Sequence, residues 1–195
     1  MSPRITARKV SLAAVALFVA AGQFVTGSGP AAGAVPTNCV ADAPALGATA
    51  AQTPVCFVRF DDAIAYATGG KIHLADAATP RAVTDTEMSG ATAATASPNT
   101  VYVLSIDYKD ASFGGATFTW TQGSPCGIFS SATMPSGWND AVSSVVAFNG
   151  CAVSLFQNIS WGGTRFAIGV NGSASSMGTF NDQASSEKWC PTYPC

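Results

Sequence analysis

The chain contains 195 residues, of which 48% are hydrophobic and only 10% are charged, and its formal net charge at pH 7 is −2. Nucleic acids and anionic lipids select clustered Lys and Arg side chains, so this composition disfavours both as partners. The length suits one domain with a small appendage.

Residues 1–34 have the pattern of a secretory signal peptide. Arg4, Arg8 and Lys9 precede the apolar stretch SLAAVALFVAAG, and the small residues AGA at positions 32–34 fit a cleavage site. The apolar stretch is too short to span a bilayer as a helix. We therefore expect cleavage after Ala34 and secretion of a soluble, extracellular protein. Cleavage removes three of the nine basic residues and none of the eleven acidic ones, which leaves a net charge of −5.

The cysteines indicate disulfide bonds. An even number of cysteines in an exported chain favours disulfides, and the absence of a CxxC motif together with a single histidine, His73, disfavours a metal site built on cysteine. We expect one bond within the N-terminal segment, Cys39–Cys56, and two bonds among the remaining four cysteines. All six lie after the predicted cleavage site: Cys39, Cys56, Cys126, Cys151, Cys190 and Cys195.

The segment 35–100 is predicted to be a small α+β or loosely ordered unit. Residues 35–54 are rich in Ala, Pro and Thr, which favours a linker or a loose arm. Residues 55–76 predict a strand (VCFVRF), a short helix capped by Asp61 (DDAIAYAT) and a second strand (GGKIHLAD). Residues 89–99 are again small and polar, as in a connector.

From residue 101 onward the pattern is typical of an all-β domain. ATFTWTQ places Phe118 and Trp120 on one face of a strand and threonines on the other, and TRFAIGV alternates in the same way. Short alternating runs separated by Gly, Ser, Pro and Asn predict an antiparallel sandwich or barrel.

Two motifs in this region occur twice. YKDASFGGATF (108–118) aligns with FQNISWGGTRF (156–166) at an offset of 48 residues, and WNDAVSS (138–144) aligns with FNDQASS (180–186) at an offset of 42. The chain therefore contains two copies of one supersecondary unit, whose aromatic faces can together close a core between two sheets.

This pair of motifs resembles the Greek-key motif of the microbial βγ-crystallin family. An aromatic residue, four residues, a second aromatic, one residue and a Gly are followed later by N/D-N/D-x-x-S/T-S, and both copies match both halves. The resemblance covers roughly residues 101–190. It implies two Greek keys, 101–149 and 150–195, which form two four-stranded sheets with one strand of each key exchanged into the other sheet.

The resemblance also implies that the NDxxSS loops bind calcium, which prefers six to eight oxygen ligands. The same residues would also fit a plain turn, since Asn, Asp and Ser are common turn formers. In the family each site is shared between the keys, and Asn139 and Asn181 would brace the loops. The implied ligands are side-chain oxygens of Asp140, Ser143, Asp182 and Ser185, carbonyls of Ala141 and Gln183, and a further carbonyl of Lys109 or Gln157.

The implied strand exchange also suggests a disulfide pairing. It would bring the chain near Cys126 to the strand that ends at Cys190. We therefore expect Cys126–Cys190 with Cys151–Cys195, and Cys126–Cys151 with Cys190–Cys195 is the rival pairing.

Two functions are compatible with this fold. The first is a secreted, monomeric calcium-binding module in which calcium is structural. The second comes from a sub-branch of similar secreted bacterial proteins, the peptidase inhibitors, and would use the long loop 121–137 against an extracellular protease. No residue pattern indicates an enzyme: His73 stands alone, and Asp107 and Asp110 flank a hairpin, where we expect them to stay solvated.

Overall fold

The computed structural model describes residues 35, 37–46, 53–74, 79–89 and 101–195. The predicted signal peptide and most of the predicted connector 89–99 lie outside these residues. Within the described ranges, no helix is both long enough and apolar enough to cross a membrane.

The described part of the chain before residue 100 forms two strands and two short helices. These elements are β1 (Asn38–Asp42), β2 (Val55–Phe57), α1 (Phe60–Ala67) and α2 (Asp85–Ser89).

Eight further strands follow, four in each predicted Greek key. The first key contains β3 (Tyr102–Asp110), β4 (Gly114–Gln122), β5 (Phe129–Ser131) and β6 (Ser144–Ala147). The second contains β7 (Ala152–Asn158), β8 (Gly162–Ile168), β9 (Ser173–Ala174) and β10 (Ser186–Cys190).

The strand order confirms the predicted exchange between the keys. Sheet one has the order β2-β1-β4-β3-β6-β9, and sheet two has the order β5-β10-β7-β8. The third strand of each key thus lies in the other key's sheet, where β9 pairs with β6 and β5 pairs with β10. Sheet one has six strands rather than four because β1 and β2 extend it beyond β4.

Both keys fold the hairpin between their first two strands in the same way. In the first key, Ser112 and Phe113 adopt positive φ angles, and Gly115 follows with φ +73°. Glycine adopts this left-handed conformation without strain, and a Cβ on Gly115 would lie 2.6 Å from a carboxylate oxygen of Asp110. Gly163, with φ +76°, holds the same place in the second key.

The space between the sheets is filled by aromatic side chains, as the alternation of ATFTWTQ predicts. Phe118 and Trp120 both point inward and are completely buried. The Trp120 ring lies 5.0 Å from that of Trp189 on sheet two, and the Phe118 ring lies 5.5 Å from that of Trp138. The repeated aromatics of the two keys therefore close one shared core.

A second core covers the outer face of sheet one. Phe60 and Ile64 of α1 pack in this cluster with Ile106, Tyr108 and Phe148 from the first key. Sheet one is consequently buried on both faces, and residues before position 100 supply its outer layer.

Three predictions for the N-terminal segment are wrong. Residues 38–42 are a buried strand instead of a loose arm, because β1 pairs in parallel with β4 and covers an otherwise open sheet edge. Helix α1 begins at Phe60 with Arg59 at the N-cap, and Asp61 lies inside it, paired with the Arg59 guanidinium. Residues 71–74 form no strand, because Gly69 and Gly70 turn the chain so that Ile72 reaches the outer core.

The disulfide prediction is correct for one bond and wrong for two. Cys39 and Cys56 face each other across β1 and β2 and are bonded, as expected. Cys126–Cys190 with Cys151–Cys195 is wrong, and the rival pairing is observed: Cys126–Cys151 and Cys190–Cys195, with Cα–Cα distances of 5.2 and 5.7 Å.

The strand exchange does not decide that pairing. It brings β5 beside β10, with Phe129 opposite Trp189. Cys126, however, lies before β5 in a loop that reaches the buried Cys151 near the start of β7. The chain after β10 turns back on itself, which places Cys195 within reach of Cys190.

Candidate functional site

The two NDxxSS loops lie side by side and exchange backbone hydrogen bonds. The N–H of Asp140 donates to the carbonyl of Ala184 over 2.9 Å, and the N–H of Asp182 donates to the carbonyl of Val142 over 3.0 Å. Residues 42 positions apart in the sequence therefore form a single structural unit that joins the two keys.

Each loop carboxylate is paired with a serine of the other loop. Ser143 Oγ donates to Asp182 Oδ1 over 2.9 Å, and Ser185 Oγ donates to Asp140 Oδ1 over 3.3 Å. The serines are buried and the aspartates are exposed. We refer to these as the Asp182–Ser143 pair and the Asp140–Ser185 pair.

The backbone of each loop is shaped to present its carboxylate. Asp140 and Asp182 both have φ +53°, a left-handed conformation that Asp tolerates better than most residues. A neighbouring amide orients each carboxylate: Asn139 Nδ2 donates to Asp140 Oδ2 over 2.6 Å, and Asn181 Nδ2 donates to Asp182 Oδ2 over 2.9 Å. These contacts suit the bracing role that we predict for the asparagines.

The first strand of each key holds the serine of its own loop. The N–H of Ser143 donates to the carbonyl of Tyr108 over 2.9 Å, and the N–H of Ser185 donates to the carbonyl of Phe156 over 2.8 Å. The next residue in each strand, Lys109 or Gln157, falls at a register shift in the ladder. Such bulge residues are left outside regular strand pairing.

The side chains of these two bulge residues point to different partners. The Lys109 ammonium lies 5.2 Å from the centre of the Trp138 ring, and Gln157 Nε2 donates to Gln183 Oε1 over 3.2 Å. The two bulge positions therefore differ in their side-chain contacts.

The donor set of the paired loops fits a hard cation. Each pair supplies one carboxylate and one hydroxyl from different loops, and the resemblance would add carbonyls of Ala141 and Gln183. Oxygen-only ligands of mixed charge, completed by water, are the ligands that Ca²⁺ prefers. The chemistry of the residues is thus suited to calcium, with one carboxylate for each pair.

A second acidic pair, which sequence reasoning missed, lies in the core between the sheets. Asp107, expected to stay solvated, is completely buried, as is Glu187 on the facing sheet. Trp120 Nε1 donates to Asp107 Oδ2 over 2.9 Å, and Ser105 Oγ donates to Glu187 Oε1 over 3.3 Å. The expectation for Asp107 is wrong because Ile106 and Tyr108 face the outer core, so strand alternation turns Asp107 inward.

Burial changes the protonation of this pair. It raises the pKa of Asp107 to about 7. It also raises the pKa of Glu187 well above its ordinary value, and the neighbouring Asp107 carboxylate raises that pKa further. Glu187 therefore keeps its proton at neutral pH. The sequence signal was the position of Glu187 two residues before the buried Trp189.

Comparison with known proteins finds solved structures that this chain resembles. No family model matches the sequence, and no curated protein matches it. A βγ-crystallin domain from Clostridium beijerinckii is 22% identical over 46% of this chain and 99% of that domain, with a TM-score of 0.35. A βγ-crystallin from an archaeon is 22% identical over 44% of this chain and 95% of the other, with a TM-score of 0.35. The N-terminal domain of protein S is 19% identical over 47% of this chain and 99% of that domain, with a TM-score of 0.36. The structural neighbours of this chain are βγ-crystallin domains, microbial ones among them.

Proposed function

We propose that the protein is a secreted calcium-binding module of βγ-crystallin type, in which calcium is structural and the protein acts as an extracellular binding or structural unit. The observation that carries the proposal is the reciprocal pairing of the loops. Each carboxylate meets a serine of the other key, so two oxygen clusters of the same composition lie where the two keys touch.

The proposed role of calcium is to hold the two keys together. Two exposed carboxylates at one loop pair repel each other weakly, and a bound divalent cation would replace that repulsion by attraction. Because each cluster takes ligands from both keys, binding favours the docked state over any state in which the keys separate. An ion that binds only the folded protein stabilises it by mass action.

The disulfides support the proposed location. Three bonds join all six cysteines, and disulfides persist in oxidising compartments such as the extracellular space. Together with the predicted signal peptide, this supports secretion. N-terminal sequencing of protein recovered from culture medium tests it, and a mature chain that still carries residues 1–34 would contradict it.

The proposal is tested by calorimetric titration of the disulfide-intact protein with calcium. Each site has a single carboxylate, so we expect a dissociation constant near 10⁻⁴ M, about the value of extracellular modules. The expected stoichiometry is two ions for each chain, with magnesium as the control ion. The absence of binding at calcium concentrations of about 10 mM would contradict the proposal.

A second function, inhibition of an extracellular protease, is supported by one feature of the loop before β5. Ser124 and Pro125 are exposed there, Ile128 is 62% exposed, and the neighbouring Cys126 is tethered to the buried Cys151. An exposed apolar side chain on a tethered loop is what a protease-binding segment needs, since rigidity lowers the cost of binding. We propose it as the alternative to the structural module.

A protease panel distinguishes this alternative from the first proposal. An inhibitor slows at least one metalloprotease or serine protease at micromolar protein, and Ile128→Arg abolishes the effect while leaving calcium binding intact. If no protease is slowed at that concentration, the inhibitor function is ruled out and the calcium proposal is unaffected.

A further inference from the structure

Tyr108 connects the N-terminal segment to one of the two loops. Its side chain is completely buried, and its hydroxyl donates to the carbonyl of Arg81 over 2.7 Å. Its own carbonyl accepts the N–H of Ser143 over 2.9 Å. One residue therefore contacts Arg81 with its side chain and the first loop with its backbone.

The carbonyl that receives this hydroxyl is itself held in place. The Arg81 guanidinium is paired with Glu87 over 2.7 Å. Glu87 accepts the N–H of Thr84 over 2.8 Å, and the Thr84 hydroxyl accepts the N–H of Glu87 over 3.2 Å. This reciprocal arrangement is a capping box at the start of α2, which fixes the turn that contains Arg81.

The Arg81–Glu87 pair is ionised under ordinary conditions. The side-chain hydrogen bond from Arg81 lowers the pKa of Glu87 to about 2, so the carboxylate stays charged at any pH near neutrality. The turn at residues 81–87 is thus fixed by a charged pair and a cap, both outside the Greek keys.

In the part of the chain that the structure describes, the second key shows no equivalent of this connection. Phe156 occupies the place of Tyr108, and its carbonyl accepts the N–H of Ser185 over 2.8 Å in the same way. Phe156 carries no hydroxyl, and its ring instead lies 5.7 Å from the ammonium of Lys188 on sheet two. The two loops are alike in their own geometry and differ in what holds the strand behind them.

We propose that Tyr108 is a positioning residue through which the turn at residues 81–87 tunes one calcium site and makes the two sites unequal. This inference rests on the proposed function. Ser143 belongs to the Asp182–Ser143 pair, so that site is the more preorganised of the two and fills first. Among the described residues, the contacts of the Asp140–Ser185 pair come from the two keys, so this site fills second.

The test compares Tyr108→Phe with a matched control, Tyr66→Phe, which removes a hydroxyl from a half-exposed tyrosine on α1. Amide hydrogen exchange at Ser143 and Ser185, measured in chelator, reports how firmly each loop is held without any metal. We expect Tyr108→Phe to speed exchange at Ser143 about tenfold, as the loss of one buried hydrogen bond allows, and to leave Ser185 unchanged. Tyr66→Phe should change neither.

Calorimetric titration with calcium then gives the two affinities. Tyr108→Phe should weaken one site about threefold and leave the other unchanged. Glu87→Ala removes the Arg81–Glu87 pair without altering either loop, and it should likewise weaken one site and leave the other unchanged. The test therefore does not depend on the folding of a single variant. Equal changes in amide exchange at Ser143 and Ser185 and in calcium affinity at both sites, or no change in either quantity, would overturn the proposed tuning. Such results would leave the proposed function intact. Wild-type protein that binds no calcium would instead overturn the proposed function, and the exchange pattern would still report whether Tyr108 holds Ser143.

Discussion

Asp140 and Asp182 each supply the single carboxylate of a loop, and each is exposed and oriented by one asparagine and one serine. An exposed carboxylate with such contacts stabilises the metal-free protein little. We predict that Asp140→Ala or Asp182→Ala removes most of the gain in melting temperature that calcium gives. The melting temperature in chelator should stay within about 2 °C of wild type, which corresponds to less than about 1 kcal/mol. Differential scanning calorimetry with calcium and with chelator measures both quantities.

The control for these substitutions is Asp62→Ala, which removes an exposed carboxylate from α1, distant in sequence from either loop. It should leave the calcium-dependent gain intact. Because each site takes ligands from both keys, either loop substitution should also weaken the remaining site. Full retention of binding at the remaining site would show that the two sites do not depend on each other.

The buried pair Asp107 and Glu187 predicts an unusual dependence of stability on pH. Burial raises the pKa of Asp107 to about 7 and raises the pKa of Glu187 well above its ordinary value, so the folded state binds more protons than the unfolded state above about pH 4. The free energy of unfolding therefore falls as the pH rises from about 4 through about 8. We expect urea denaturation in chelator to give a value at least about 2 kcal/mol lower at pH 8 than at pH 5.

Asp107→Asn should flatten this dependence, because it removes one of the two groups that lose a proton. Glu87→Gln is the control: the pKa of Glu87 is lowered to about 2, so that carboxylate is ionised throughout the window and contributes no slope there. Stability that rises between pH 5 and pH 8 in the wild type would show that the pair is not buried as described.

Residue-level chemistry was predictable from the sequence where a motif carried it. The NDxxSS runs identified Asp140, Ser143, Asp182 and Ser185 as candidates. The partner of each carboxylate was not predictable from one loop alone, since Asp140 meets Ser185 only after two keys have docked. Asp107 was misjudged because its position beside a hairpin gave no sign that the strand is buried on both faces.

Among the elements, β1 and β2 most change the picture of the first Greek key. They extend sheet one, and the Cys39–Cys56 bond joins them. This bond closes a sequence separation of 17 residues, whereas Cys190–Cys195 closes one of 5. Cross-linking a longer loop removes more entropy from the unfolded chain, by about 1 kcal/mol for this difference in length.

We predict that replacing Cys39 and Cys56 together by Ser lowers the free energy of unfolding by about 3 kcal/mol. Replacing Cys190 and Cys195 by Ser is the matched control and should cost about 1 kcal/mol less. Urea denaturation of the two double variants under one set of conditions measures the difference. A larger loss for the terminal bond would indicate that β1 and β2 contribute little to the folded state.

The strands of the keys were predictable because their alternating aromatics repeat, while β1 was not. Residues 38–42 contain one β-branched residue, and their strand forms only because β4 offers an edge far away in the sequence. Pairing with β4 thus outweighed the weak intrinsic strand preference of residues 38–42. The same reason explains the disulfide error, since the path of a loop and not the order of strands brings Cys126 to Cys151.

At the scale of the whole molecule, two Greek keys are joined by exchanged strands, by a shared aromatic core and by the paired loops. Calcium bound at the loops should therefore stabilise the molecule as a unit. At about a hundredfold excess over the dissociation constant, each site adds roughly 2.7 kcal/mol, provided that the unfolded chain does not bind. Two sites give about 5 kcal/mol, and each kcal/mol raises the melting temperature by about 2–4 °C for a folded unit of this size.

The most direct test is therefore the melting temperature of the disulfide-intact wild-type protein, measured in chelator and in about 10 mM calcium. The paired loops predict a rise of at least about 10 °C with calcium and no comparable rise with magnesium at the same concentration. An identical melting temperature in chelator and in calcium would show that the NDxxSS loops are turns only, and that calcium has no structural role in this protein.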